Sequence, residues 1–313
     1  MQQRKARWQS RLSNAGHSYA LQTSSRHMSQ LARRDYYNAG LPALLWLKEL
    51  LQGIEQDPSK FDQFLNDLQA LHARVLNLPK QFLLVAEQEK LPELSQVVEQ
   101  VWQHTAHSQG QSVLPVIQHP NDNQDIAWLI QANVQFCAAA YPAVAVDHPD
   151  ACAFMVLGPY LRNGFLHRAL REQGGAYGGG ASYDGNACAF RFHSYRDPRL
   201  SETFKDFSAS IEWLLNDKQE AYQLEEAILG LIASMDKPGS PAGEAVSACH
   251  AKLHERTPEF RRKMRHGLLN VTLDDLKRVA QQYIQSQVPV RAVVAPYAKS
   301  DELKALGFVV KQI

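Results

Sequence analysis

The pair Gly174-Gly175, followed after Ala176 and Tyr177 by Gly178-Gly179-Gly180, constrains this 313-residue chain more than any other stretch. Apolar residues Leu161, Phe165, Leu166, Ala169 and Leu170 precede it at helical spacing. Gly174 and Gly175 stop that helix, because glycine enters the left-handed C-terminal conformation without a Cβ penalty. Asp184-Gly185-Asn186 then marks a turn, and Ala187 to Ser194 alternates as the second strand of a hairpin. Arg171 falls in the last helical turn, and Tyr177 lies six residues on, at the start of a strand nearly bare of side chains. Such a backbone lets another chain approach closely, and a guanidinium and a phenol beside it can hydrogen-bond that chain's carbonyls. A purely structural alternative stands beside this one. In it Arg171 caps its own helix and Tyr177 packs at a strand edge with a wet hydroxyl.

The rest of the chain divides by composition. Residues 1–22 are polar and basic without a clear period; Ser24 to about Gln52 reads helical, broken near Gly40-Leu41-Pro42. Asp57-Pro58-Ser59 starts a helix that carries Phe64, Leu65, Leu68 and Leu71 on one face and closes at Pro79. Phe82 to Ala86 reads as a short apolar strand and Leu91 to Trp102 as an amphipathic helix, so residues 1–102 look like the tail of a preceding α/β domain. The polar run at 103–112 is the expected linker. Beyond it, Val113–Gln118 and Val134–Ala140 read as strands, and His148-Pro149-Asp150 precedes the long helix that ends at Arg171. Helices follow from about Leu200, Gln219, Glu244 and Pro258; another starts at Thr272, whose Asp275 partner suggests a capping box; Val290–Ala295 and Phe308–Val310 close the chain as strands. Segregated strands and helices give an α+β class: a mostly antiparallel sheet covered by helices over residues 113–313, preceded by a helical partial domain.

Composition removes several function classes. Lys plus Arg (33) balances Asp plus Glu (32), so no global field favours nucleic acid or an anionic membrane. Apolar runs such as Ala151 to Leu157 are too short to span a bilayer. The basic N-terminus lacks the apolar core of a secretory signal, although residues 1–34 are Arg- and Ser-rich in the manner of a mitochondrial presequence. Four scattered cysteines, Cys137, Cys152, Cys188 and Cys249, read as reduced thiols of a cytoplasmic protein. The glycine cluster fits neither GxGxxG nor GxxxxGK[ST] and follows a helix, so it is not a nucleotide loop. No GxSxG elbow occurs. His250 and His254 share the i, i+4 spacing of a metal pair, but Leu253 and Ala251 stand where a catalytic Glu is needed; His104 and His107 in the linker are discounted likewise.

One block resembles a known family. Leu161-Arg162, the run Arg171-Glu172-Gln173-Gly174-Gly175-Ala176-Tyr177-Gly178-Gly179, and Ser194-Tyr195-Arg196-Asp197-Pro198 resemble the C-terminal half of zinc metallopeptidases of the pitrilysin/insulinase family, nearest the presequence-protease branch. Weaker similarity runs from about Ser24 onward. The resemblance implies that Arg171 and Tyr177 contact substrate near the scissile bond and that Gly174, Gly175, Ala176, Gly178 and Gly179 line the substrate backbone. It implies a noncatalytic half that forms the wall of a peptide-degrading chamber and is inactive alone. No cofactor is expected in this chain; zinc, on an inverted His-x-x-Glu-His motif, is expected in the N-terminal half. That catalytic half and a peptide substrate are the implied partners. Residues 113–313 would then be the complete C-terminal domain, and residues 1–34 the interior of a longer protein rather than a presequence. The alternative is a noncatalytic structural or processing subunit of a heteromeric peptidase. The mid-domain start expected here favours the first reading. Tyr195-Arg196-Asp197-Pro198 is read structurally, with Asp197 in a turn and Arg196 pairing with a carboxylate.

Overall fold

The computed structural model describes residues 12, 14–78, 80–103 and 123–313. In chain order the helices are α1 (Gly16–Ser25), α2 (Gln30–Ala39), α3 (Leu41–Gln56), α4 (Ser59–Leu76) and α5 (Leu91–Trp102). Strands β1 (Ile126–Ile130) and β2 (Phe136–Pro142) follow, then α6 (Ala151–Leu161), which continues as a π-helix over Arg162–Gln173. The hairpin β3 (Gly178–Asp184) and β4 (Ala189–Tyr195) leads to α7 (Ser201–Asn216), α8 (Ala221–Met235), α9 (Pro241–Leu253), α10 (Pro258–Leu269) and α11 (Leu273–Ala280). Strand β5 (Val290–Pro296), α12 (Ser300–Ala305) and β6 (Val309–Gln312) complete the chain. Two compact units result. One takes its described residues from Met1–Trp46, Val116–Met235 and Met264–Ile313, the other from Leu47–Pro115 and Asp236–Lys263.

The first unit is built on a sheet of order β3-β4-β2-β5-β1-β6. β1 runs parallel to β5 and β6, and the other pairings are antiparallel, which makes the α+β class expected from sequence the observed one. β1 shows why this sheet is covered on both faces. Its five residues are all buried; Ala127 and Leu129 join one core, while Ile126, Trp128 and Ile130 join the other. Period-2 alternation sends successive side chains to opposite faces, so a continuous apolar run requires two covers. Phe154, Phe190, Phe192 and Phe207 fill the first core under the helices that follow β2. Residues from α1 through the start of α3, among them Ala20, Tyr36 and Leu41, cover the second.

Several element expectations meet the structure closely. The helix break falls at Gly40, the Asp57 carboxylate accepts from Ser59 N–H (3.0 Å) at the start of α4, and α5 spans the expected residues. Thr272 and Asp275 form the capping box in full. Others differ. Helix α1 begins at Gly16, in a stretch read as patternless, and β1 was not anticipated: a five-residue apolar run has no period to separate strand from helix. Residues Phe82 to Ala86, read as a strand, form none, since a strand needs a ladder partner and the described residues offer none. The linker at 103–112 apart from Gln103, the strand Val113–Gln118, Pro79, His104 and His107 lie outside the described residues. In the division into compact units, residues up to Trp46 group with the sheet.

Candidate functional site

The glycine turn is aimed from both ends. At its start, Asp150 anchors α6: its carboxylate accepts from Arg278 Nη2 (2.7 Å) and the Tyr283 hydroxyl (2.9 Å). The Arg278 hydrogen bond holds that carboxyl below the usual carboxylate range. Gly158 then lets the helix close on β3, where a Cβ would sit 3.0 Å from the Ala181 carbonyl and 3.2 Å from Ser182 Cα. At its end, the π-helical segment stops in a wide cap. The Gly175 N–H donates to Arg171 O (3.2 Å) and the Ala176 N–H to Leu170 O (2.9 Å). The second bond spans one residue more than a Schellman cap, as π geometry requires. Gly175 sits at φ +77°, the left-handed conformation that demands glycine. The next N–H, of Tyr177, donates to Tyr195 O (3.0 Å) and starts the pairing of β3 with β4.

This turn leaves two donors in solvent. Tyr177 is 70% exposed, and its ring meets Tyr195 edge-on, 6.0 Å between centroids. Arg171 is exposed in the last turn before the glycines. Among the described residues neither the guanidinium nor the hydroxyl has a hydrogen-bond partner. The capping role left open for Arg171 is taken instead by Arg199, whose Nη2 donates to Ala169 O (3.3 Å) while bound to Asp206 (2.8 Å).

The glycines divide by cause. A Cβ on Gly174 would fall on the Arg199 guanidinium; one on Gly179 would lie 2.5 Å from Leu170 Cδ1 and 2.8 Å from the His193 carbonyl; one on Gly180 would press on Arg162. Close packing accounts for these three. Around Gly178 nothing lies within 4 Å of a built Cβ, so that position is open. Ala176 is buried beneath the turn. Among the described residues β3 is an edge strand of the sheet, paired only with β4.

Tyr195-Arg196-Asp197-Pro198 supports the site from behind. Asp197 is fully buried and accepts from Arg199 N–H (2.9 Å) and Thr203 Oγ1 (2.7 Å). Gln135 donates from Nε2 to Arg199 O (2.7 Å) and fixes the same corner. Among the described residues Arg196 does not pair with a carboxylate as expected; it donates to Asn14 Oδ1 (3.1 Å) and lies over the Tyr195 ring. Sequence reasoning missed the Arg199–Asp206 pair, whose i, i+7 separation carries no local signal, and His17 of α1, which meets Tyr195 edge-on at 5.0 Å.

No zinc donor set fits. His250 and His254 sit exposed at the end of α9, with Leu253 between them and no carboxylate at the required position. Among the described residues no group of three or more His, Cys, Asp or Glu side chains converges.

Comparison with known proteins places this geometry. Residues 146–296 match the family described as the PreP C-terminal domain. The chain is 29% identical over 296 residues to the mitochondrial presequence protease of Yarrowia lipolytica, covering 94% of this chain and 29% of that protein. It is 38% identical over 164 residues to the mitochondrial presequence protease of Saccharomyces cerevisiae, covering 52% of this chain and 16% of that protein. A solved protease from Helicobacter pylori superposes with TM-score 0.52 over 67% of this chain and 53% of its own at 15% identity, a likeness of fold. The chain thus spans less than a third of the length of these curated relatives. Their names also overturn the cytoplasmic placement read from the sequence, since both are mitochondrial. Unpaired thiols fit any reducing compartment, so the cysteines never separated the two. With its α+β sheet, its glycine turn and these matches, the chain is similar to the C-terminal part of presequence proteases, the branch of the pitrilysin/insulinase family that its sequence resembles.

Proposed function

We propose that this chain is the noncatalytic C-terminal half of a zinc-dependent, peptide-degrading endopeptidase. The observation that carries this reading is the turn itself: two exposed donors, Arg171 and Tyr177, without partners among the described residues, flank a glycine cap at the start of a strand that is an edge among those residues. An extended peptide added along the outer edge of β3 would find the open position at Gly178 and unobstructed backbone there. The Arg171 guanidinium and Tyr177 hydroxyl would then donate to its carbonyl oxygens. Donors free of internal partners among the described residues can stabilise an oxyanion as it develops, without first giving up other bonds. Through the cap bonds, Gly175 and Ala176 set the backbone from which the two donors project. In the partner half, zinc would supply an activated water; this chain supplies binding, orientation and part of the chamber wall.

In this reading the sheet, with the helices up to Trp46 that cover its second face, makes the C-terminal domain. The test is cleavage of a short quenched-fluorescence peptide by the chain alone and by the chain mixed with its zinc-bearing half. Turnover only in the mixture supports the proposal. Zinc-dependent turnover by the chain alone overturns it.

A further inference from the structure

Arg162 opens the π-helical segment, is exposed, and has neither a hydrogen bond nor an ion pair among the described residues. Its stem is nevertheless held. Gly180 is buried, and a Cβ built there would lie 3.2 Å from both Cγ and Cδ of Arg162. The missing side chain at 180 leaves the space in which the arginine stem lies.

Register fixes the course of this side chain. Gly179 stands opposite Ser194 and Gly180 opposite His193, and alternation sends the two glycine positions to opposite faces of the sheet. Leu170 of the π-helical segment packs at Gly179, so that segment covers one face. Arg162 leaves the same segment yet fills the space at Gly180, and its charge reaches His193, whose pKa it lowers after burial and His17. Because β4 closes the inner side of β3, the stem passes the outer edge. The π geometry contributes to this placement. Nine residues make roughly two turns of a helix with i→i+5 bonds, so Arg171 returns toward the side that carries Arg162; in an α-helix the two would be opposed. No carboxylate of either element answers these cations: Glu172 of the π-helical segment meets His167 (3.3 Å), and Asp184 of β3 meets Arg191 (2.9 Å).

We propose that Arg162 makes the outer edge of β3 a carboxylate-binding subsite, selecting peptides that place an acidic side chain or their own C-terminal carboxylate beside Gly180. A peptide paired at the open Gly178 meets this guanidinium two residues further on, about 7 Å along the strand. The guanidinium fork matches a carboxylate in two parallel hydrogen bonds, and a stem already packed loses less freedom on binding. This inference rests on the proposed addition of a peptide to β3 and gives that site a charge preference.

The test uses the chain mixed with its zinc-bearing half and pairs of quenched-fluorescence peptides. In one set Glu replaces Gln at each position in turn; in the other a free C-terminal acid is compared with its amide. At one position, or in the acid–amide set, the carboxylate form is expected to be cleaved with kcat/KM about 5-fold higher, the scale of an exposed charge pair. Raising the ionic strength shrinks that ratio. Arg162→Gln brings it to about 1, whereas Arg162→Lys keeps part of it. Each ratio is taken within one variant, so it does not depend on that variant's folding yield. A response in the Glu set supports an acidic side chain as the ligand, and one in the acid–amide set supports the C-terminus. No preference in the wild type, or a preference that Arg162→Gln leaves unchanged, overturns the inference while the peptidase reading stands. No turnover in the mixture overturns both.

Discussion

The imidazole rings of His17, on α1, and His193, on β4, lie 6.0 Å apart, each with a buried Nδ1 that has no hydrogen-bond partner among the described residues. Tyr195 closes over the pair, edge-on to His17 at 5.0 Å, and touches Tyr177 on its other side. The exposed phenol of the proposed site therefore rests on a stack rooted in two neutral histidines. Burial pushes His17 down from its usual value, and burial, then the charges of His17, Arg162 and Arg191, push His193 down to about 4.

That pair sets a pH dependence. The unfolded chain protonates His193 below about 6.5, the folded chain only near 4, so the unfolded state holds more protons between them. Stability is full above 6.5 and drains as pH falls toward 4, by roughly 3 kcal/mol from this residue. Urea midpoints taken from neutral pH down to 4 are expected to fall more steeply for the wild type than for His193→Gln; equal slopes would refute the assignment.

Tyr177→Phe keeps the ring contact with Tyr195 and removes only an exposed hydroxyl. Its melting temperature is expected to match the wild type, while kcat/KM of the reconstituted peptidase drops about 10- to 100-fold, the range for losing one oxyanion donor. Arg171→Gln is expected to behave alike. A drop in KM affinity with kcat intact would mean simple substrate binding instead.

Alanine substitutions should separate the glycines by cause. Gly178→Ala meets open space and is expected to change stability by no more than ~0.5 kcal/mol. Gly179→Ala drives a Cβ into Leu170 and the His193 carbonyl and should cost about 1–3 kcal/mol. Gly175→Ala, at φ +77°, should cost about 1 kcal/mol. Chemical denaturation of the three variants in parallel gives the order.

Asp197→Ala leaves the Thr203 hydroxyl and the Arg199 N–H without an acceptor in a fully buried corner. A loss of about 2–4 kcal/mol is expected in denaturation. Arg196→Ala, exposed and next in sequence, should stay within ~0.5 kcal/mol.

The sequence by itself determined the elements whose cause is local. Glycine is needed at 175 for its φ, Thr272 and Asp275 cap within one turn, and α5 shows its full apolar period. The candidate donors Arg171 and Tyr177 were legible for the same reason, lying six residues apart across one turn. Tertiary structure alone decided what lies between distant segments. It brought Arg199 rather than Arg171 to the helix end, set His17 against Tyr195 across the sheet face, and placed β3 at the edge. It also left 82–86 without a strand, because pairing depends on a neighbour and not on the apolar run alone. Local conformation is written in spacing of a few residues. Long-range pairing is selected only when whole faces are buried together.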